Sequence, residues 1–315
     1  MRVLITGGAG FIGSNLAWAL IAAGNEVGIM DDLSTGTVAN VHPHAWFRGH
    51  DILDPETPAL VADFAPNAVV HLAAQASVSA SLRDPDRDWA VNAEGTRAIA
   101  AAARDAGATR VVSASSAAVY GEPLPENLPL PESAPKSPAN PYGRSKLAAE
   151  TLLAEELEGS GVDFASFRFS NVYGPRQDAQ GEGGVVAIFC GRIAAQQEPV
   201  IYGDGTQTRD FIYVGDVVGA IMSALESREA LAGGGPDGAA YNVSTGAETS
   251  VNELLMAVRV AASYGGGVRY EAAREGDVER SALDPSKASR VFGWRAHQLI
   301  EGGAEMTWRW FAAQR

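Results

Sequence analysis

Residues 6–13 read Thr6-Gly7-Gly8-Ala9-Gly10-Phe11-Ile12-Gly13. A short apolar run, residues 3–6, precedes them. A segment of helical periodicity, residues 11–23, follows and stops at Gly24. Gly7, Gly10 and Gly13 stand at a GxxGxxG spacing. Without side chains they permit a tight turn and let a pyrophosphate approach backbone N–H groups, and the helix N-terminus adds favourable partial charge. Phe11 and Ile12 open that helix and belong to the same cradle. Glycine triplets occur in many turns. The strand before and the helix after make this one a dinucleotide loop. A second apolar run, residues 26–30, leads into Asp31-Asp32. A carboxylate there accepts both hydroxyls of an adenine ribose and repels a 2′-phosphate, so NAD is the expected cofactor rather than NADP.

The alternation continues outward from this loop. Residues 68–72 and 110–115 read as strands, with a helix over 88–106 between them that ends at Gly107. Residues 123–141 hold seven prolines and form a loop. Pro141 can open the next helix, which runs to about Glu158, before Gly159 and Gly161, and residues 162–169 form the strand after it. Strands separated by helices predict a parallel sheet covered on both faces. Right-handed crossovers make it an α/β, Rossmann-type doubly wound fold. After Phe169 the alternation breaks down into Gly- and Gln-rich loops and short strands such as 200–202. Residues 1–171 are therefore expected to form the NAD-binding domain. Residues 207–245 return to it as a helix over 210–227 and an outer strand over 240–243. Residues 172–206 and 246–315 are expected to form a smaller α/β substrate-binding domain. It ends in an amphipathic helix, 299–311, whose Trp308, Trp310 and Phe311 read as packing residues.

Composition narrows the function. The chain has 315 residues and a formal net charge of −14. Nucleic-acid binding needs an excess of Lys and Arg, so that partner is excluded, although a few local arginines can still hold a small anion. Cys190 is the only cysteine, so no internal disulfide can form, which fits a reducing compartment. The histidines, His42, His44, His50, His71 and His297, show no metal-ligand spacing, and no metal is expected. No apolar run is long enough to span a bilayer, and the glycines of residues 7–13 interrupt any resemblance to a signal peptide. A cytoplasmic protein is expected.

The chemistry lies further along. Tyr142 and Lys146 form a Tyr-x-x-x-Lys pair, which places both on one helix face. A free phenol is a poor base at neutral pH. A neighbouring ammonium and an oxidised nicotinamide both favour phenolate, so the Tyr142 pKa is expected to fall. Lys146 can also hold the nicotinamide ribose. Ser115 and Ser116 end a strand at the carboxyl edge, where open sheets bind ligands, and a hydroxyl there can pass a substrate proton toward Tyr142. Asp51-Ile52 falls where the third strand should end, near the adenine. Leu72-Ala73-Ala74-Gln75 leaves room for the middle of the cofactor, and Asn92 can brace that site.

These residues resemble the extended short-chain dehydrogenase/reductase superfamily over nearly the whole chain. The likeness is closest to the NAD-dependent UDP-glucose (UDP-galactose) 4-epimerases. It is carried by residues 6–13, Asp31-Asp32-Leu33-Ser34-Thr35-Gly36, residues 115–121 and 141–146, residues 171–177, Gly203-Asp204-Gly205 with residues 209–214, and residues 274–278. The resemblance implies catalytic roles for Ser116, Tyr142 and Lys146, with Ser34, Thr35 and Gly36 joining the cofactor site. It implies that Asn171, Arg209 and Arg274 contact a diphosphate, that Asp277 meets the nucleotide ribose, and that Val186 and Tyr202 also bind substrate. Two arginines can offset a diphosphate's charge through forked hydrogen bonds. A homodimer built on the helices over 88–106 and 141–158 is also implied.

Departures from the family pattern sharpen the expectation. Related dehydratases and decarboxylases carry Asp or Glu directly after the catalytic Ser/Thr-type position, where this chain has Ala117, so simple oxidation and re-reduction is favoured. Ala118 stands where many epimerases carry Thr, Gln75 where some carry Lys, and Ser281 where some carry a bulky Tyr against the sugar. The last change leaves room for an N-acetylated sugar. Other outcomes on the same platform stay open: a uronic acid or pentose 4-epimerase, a dehydratase or a reductase. A non-catalytic NAD sensor or scaffold is the reading from a different class.

Overall fold

The computed structural model describes residues 1–180, 184–234, 236–273 and 278–314. Apolar strands alternate with helices from the first residues. The order is β1 (Arg2–Thr6), α1 (Phe11–Ala22), β2 (Glu26–Asp31), β3 (Trp46–Gly49), α2 (Thr57–Phe64), β4 (Ala68–His71), α3 (Gly95–Asp105), β5 (Arg110–Ser116), α4 (Pro141–Leu157), β6 (Asp163–Phe169), α5 (Val214–Glu226) and β7 (Ala240–Val243). The seven strands form one sheet in the order β7-β6-β5-β4-β1-β2-β3. Every pairing is parallel. The chain order reverses between β1 and β4, and a doubly wound sheet opens a ligand crevice at that switch point, outside the strand carboxyl ends.

The two-residue period of the strands divides the core. Val3 and Ile5 of β1, Val70 of β4 and Val112 of β5 pack on one face against Leu16, Leu20, Val217 and Ile221 of α1 and α5. Leu4, Val69 and Val111 point to the other face, against Val61, Phe64, Ile99 and Leu153 of α2, α3 and α4. Each such side chain contributes about 1.5–3 kcal/mol by leaving water, so both faces must be covered and the sheet cannot be one-sided. A separate apolar cluster gathers Phe189, Ile201, Phe211, Leu254, Val258 and Phe311. These residues come from the helices Val185–Ala194, Val251–Ala261 and Ile300–Ala312 and from short strands.

Several boundaries differ from the sequence-based expectation. The expected helix over 210–227 begins only at Val214, because Phe211–Tyr213 is a strand paired with Asn171–Tyr173. Asp210 causes the break. It is buried, and its carboxylate accepts the Thr245 and Gly246 amides at 2.9 and 3.0 Å, which ties the chain in an extended form. The third strand ends at Gly49, short of Asp51. The helix expected to start at residue 88 begins with Pro85–Trp89 and passes through a π-helical turn, Ala90–Glu94, into α3. The proline-rich loop is stitched down rather than loose. Leu130 N donates to Ala282 O at 2.9 Å, and Asp284 N donates to Leu130 O at 2.8 Å. No helix among the described residues is long and apolar enough to cross a membrane.

Candidate active site

The glycine loop leaves β1 at the switch point. Gly7 has φ +72°. A Cβ on Gly13 would lie 2.2 Å from Gly7 O and 2.7 Å from Gly8 Cα, so α1 can close onto the loop only without a side chain there. A Cβ on Gly10 would meet only Gly7 O, at 3.3 Å. Protein packing therefore demands Gly13 far more than Gly10, and Gly10 is the position whose bareness suits an approaching ligand. Phe11 and Ile12 form the first turn of α1 with the N–H groups of the cradle.

Asp31 ends β2 beside this loop. Its Oδ2 accepts Ala9 N at 2.9 Å and its Oδ1 accepts Leu33 N at 2.8 Å. Burial holds its pKa above the usual carboxylate range despite those two amides. Each oxygen keeps a lone pair, which matches two vicinal ribose hydroxyls. Asp32 Oδ1 accepts Ser34 N at 2.9 Å and Ser34 Oγ at 2.6 Å, so Asp32 and Ser34 shape the exposed turn that carries Thr35 and Gly36. Leu72, Ala73 and Ala74 leave β4 opposite the loop, half-buried. The group fits a dinucleotide: bare glycines, aimed amides, a ribose-matching carboxylate and small residues over the switch point.

Three residues expected at the cofactor have other partners within the chain. Asp51 pairs with Arg87 Nη2 at 3.1 Å and accepts Leu53 N at 2.9 Å on a partly exposed side chain, while Ile52 is buried in the apolar cluster with Val61 and Phe64. The Gln75 side chain turns inward, donating Nε2 to Asp88 Oδ1 at 2.6 Å and to Ser77 O at 2.9 Å. Asn92 braces the site, accepting Gln75 N at 2.9 Å and donating to Gln75 O at 3.0 Å.

Ser116, the last residue of β5, caps the turn Ala117–Val119 by accepting Ala118 N at 3.2 Å. Asn140 caps α4 by accepting Gly143 N at 2.9 Å, and Pro141 occupies the first turn. A Cβ on Gly143 would lie 2.5 Å from Ala118 O, so glycine lets the start of α4 touch the Ala117–Val119 turn. That contact brings the Tyr142 phenol beside the Ser116 side chain, close enough for the hydroxyl to act on its pKa. One turn later, Lys146 is 5% exposed and donates Nζ to Ala114 O at 3.1 Å.

The electrostatics differ from expectation at Tyr142. Burial raises its pKa, the Ser116 hydrogen bond lowers it, and the Asp88 charge raises it again; the net direction is upward, not the expected fall. The chain alone holds a neutral phenol. Burial brings Lys146 down to about 8, with Asp88 and Glu150 resisting the fall. A phenol beside a serine hydroxyl and one helical turn from a buried amine can, once added positive charge has ionised it, receive a proton from a substrate hydroxyl and return it.

Sequence reading missed two buried groups here. Asp88, Asn92 and Thr96 recur every four residues, and this polar stripe on one helix face was the available signal. His71 lies at the end of β4, with Nδ1 2.7 Å from Thr6 Oγ1 and Nε2 3.1 Å from Thr96 Oγ1. Burial, followed by the Lys146 charge, lowers its pKa to about 3. The stability tied to a neutral His71 is therefore complete above about pH 6.5 and is lost as pH falls toward 3, at about 1.4 kcal/mol per pH unit. Urea unfolding between about pH 6.5 and 4.5 should show a steeper loss for the parent than for His71→Asn. Equal slopes would remove His71 from the acid lability.

The residues expected on the substrate are more scattered. A cleft of ≈ 890 Å³ has Val185, Arg192, Tyr202, Gln207, Arg209 and Arg269 among its walls. Val186 is not one of them. It is 1% exposed in the apolar cluster, and its neighbour Val185 faces the cleft instead. Arg209 Nη1 donates to Thr208 O at 2.7 Å. Asn171 is exposed on the short strand Asn171–Tyr173. Arg274 and Asp277 lie outside the described residues. Arg192 and Arg269 were not singled out from the sequence, where nothing distinguishes them from surface arginines.

Comparison with known proteins fits this geometry. The model of the "NAD dependent epimerase/dehydratase family" matches residues 3–244. A UDP-glucose 4-epimerase of Mycolicibacterium smegmatis is 41% identical over 319 residues, covering 99% of this chain and 98% of the relative. The Thermus thermophilus UDP-glucose 4-epimerase, solved as a complex with NAD, superposes with a TM-score of 0.89 at 41% identity and covers 99% of both chains. The Thermotoga maritima UDP-glucose 4-epimerase with UDP-glucose gives a TM-score of 0.91 at 36% identity, covering 100% of this chain and 99% of that one.

Proposed function

The chain belongs to the NAD dependent epimerase/dehydratase family, and from that membership we propose that it is a nucleotide-sugar 4-epimerase, interconverting UDP-glucose and UDP-galactose with NAD as cofactor. The observation that carries this reading is Tyr142 placed beside Ser116, with Lys146 one turn away, on the same sheet edge as the glycine loop and Asp31. Ala117, directly after Ser116, has no proton to exchange, which favours epimerisation over elimination. Bound NAD supplies the hydride acceptor, and then the donor, at the sugar C4, together with a positive charge beside the phenol. With that charge in place Tyr142 would lose its own proton to water, and its phenolate Oη would accept the proton of the C4 hydroxyl and later return it. Ser116 hydrogen-bonds the sugar oxygen and steadies that proton on its way. Lys146, held at Ala114 O, binds the nicotinamide ribose and keeps positive charge near Tyr142.

The glycine loop, Asp31 and residues 72–75 would hold the cofactor, with Asn92 fixing the main chain of Gln75. Asn171, Arg209 and Arg274 would grip the diphosphate while the sugar turns over between the two transfers, and Asp277 would hold the nucleotide ribose. Tyr202 and Val185 would line the substrate cleft. In this division residues 1–171 with 207–245 bind the cofactor, and residues 172–206 with 246–315 bind the nucleotide sugar.

Incubation with a panel of UDP-hexoses, with stereochemistry read by NMR, tests the proposal. The expected result is interconversion at C4 with neither mass change nor net NADH. Loss of water or accumulation of NADH would overturn it in favour of a dehydratase or dehydrogenase. Acceptance of N-acetylated hexoses is a second reading, favoured by the small, half-buried Ser281. It fails if UDP-N-acetylglucosamine is inert while UDP-glucose turns over.

The nucleotide sugar is the small-molecule partner in this reading, and we take the working unit to be a cytoplasmic homodimer. Exposed Leu82 and Trp89, on the helices Val78–Arg83 and Pro85–Trp89 ahead of α3, support a partnered surface there. Light scattering that gave a monomer mass would exclude it.

A further inference from the structure

We propose that Asp88 is the buried counter-charge of Lys146, a positioning residue that keeps the lysine an ammonium beside Tyr142 and ties the start of α4 to the end of β4. Its role in turnover rests on the epimerase reading; the charge coupling itself does not.

Asp88 is 1% exposed. Its Oδ2 accepts Ser145 Oγ at 2.5 Å, and its Oδ1 accepts Gln75 Nε2 at 2.6 Å and Asn92 Nδ2 at 3.2 Å. All of these donors are neutral. A carboxylate removed from water and met only by neutral groups is costly, so a cation must lie near enough to offset it. Arg168 is taken: it faces Glu150 through two contacts, at 2.9 and 2.5 Å, and that pair balances itself. His71 is neutral, with both ring nitrogens occupied by threonine hydroxyls. Lys146 remains.

The groups that act on Lys146 are Glu150 from its own helix, His71 from β4, the uncharged Ala114 carbonyl from β5 and Asp88 from the helix before α3, while Tyr142 lies one turn back on the same helix. Glu150 is committed to Arg168 and to the Ser115 hydroxyl. Asp88 is the larger of the two charges that favour the ammonium. The same charge disfavours phenolate on Tyr142. Asp88 thus sets a resting state with a charged lysine and a neutral tyrosine. The mechanical link is Ser145, which precedes Lys146 in the chain. Its hydroxyl also lies 3.0 Å from Tyr142 O and receives Asn92 Nδ2 at 3.1 Å.

The sequence contains only three lysines, Lys136, Lys146 and Lys287. Labelling with ¹³Cε-lysine therefore gives three side-chain resonances, and Lys146→Arg identifies one of them. Asp88→Asn removes the charge but keeps the shape. Its carbonyl can accept from Gln75 and Asn92, and its amide can donate to Ser145, which then gives its own proton to Tyr142 O. The Lys146 resonance is expected to titrate about one pH unit lower in Asp88→Asn than in the parent, and the alkaline limb of turnover should move the same way. Asp88→Ser, smaller and also neutral, should give the same displacement should the amide fold poorly. Ser145→Ala cuts the tether and leaves the carboxylate; it should slow turnover while the Lys146 midpoint stays at the parent value. Equal Lys146 midpoints in the parent and the neutral Asp88 variants overturn the proposal. A parent that does not epimerise defeats the functional reading alone, because the resonance still reports the coupling.

Discussion

Tyr142→Phe is expected to slow turnover by about 10²- to 10⁴-fold, roughly 3–5 kcal/mol of barrier, while KM for the nucleotide sugar changes little. The substitution removes one oxygen from a buried ring and leaves the packing of α4 intact. What disappears is the oxygen beside Ser116 proposed to take the C4 proton and give it back. Loss confined to kcat marks an interaction made in the transition state rather than in substrate binding. Steady-state kinetics with UDP-galactose, together with retained NAD and an unchanged melting temperature, makes the test. A variant as fast as the parent would remove Tyr142 from the mechanism and leave Ser116 without a partner. The upward pKa of Tyr142 in the chain alone sharpens this expectation. The phenol becomes a useful acceptor only when positive charge arrives beside it, so the proton and the hydride should move in concert with an occupied cofactor site.

The second large effect separates two glycines of one loop. Gly13→Ala puts a methyl 2.2 Å from Gly7 O and 2.7 Å from Gly8 Cα, both main-chain atoms that cannot rotate away. The loop or α1 must move, at a cost of about 3 kcal/mol or more, and melting temperature and NAD content should fall together. Gly10→Ala meets only Gly7 O, at 3.3 Å, from a backbone at φ −79° that alanine adopts freely. Its stability should stay within about 1 kcal/mol of the parent, yet NAD retention should drop at least about tenfold because the methyl sits where the pyrophosphate must approach. NAD released on denaturation, set beside thermal unfolding, reads both. Full NAD content in a stable Gly10→Ala protein would end the cradle assignment.

Much of the fold could be read from the chain because its signals are local. Strand, glycine loop, helix and terminal aspartate follow one another within residues 3–32, and each of the next strands is a short apolar run closed by a turn. Where a distant partner decides the conformation, sequence reading failed. Residues 211–213 look like the start of a helix, but Asp210 is held by Thr245 and Gly246, more than thirty residues away in the chain, and the segment pairs with residues 171–173 instead. Val186 and Val185 are equally apolar in sequence; only the packing of the helix Val185–Ala194 puts the first in the core and the second on the cleft.

The same division runs through the site that residues 6–13 introduced. The sequence by itself determined the parallel sheet and the dinucleotide loop, and it singled out the aspartate proposed to meet the ribose and the serine, tyrosine and lysine proposed to carry the chemistry, because those properties reside in residue type and short spacing. The tertiary structure decided their charge states. The neutral phenol of Tyr142, the lowered pKa of Lys146 and the commitment of Gln75 to Asp88 all arise from burial and from groups brought together from β4, β5, α4 and the helix before α3. Desolvation and Coulomb terms depend on distances in space, and no spacing along the chain encodes them.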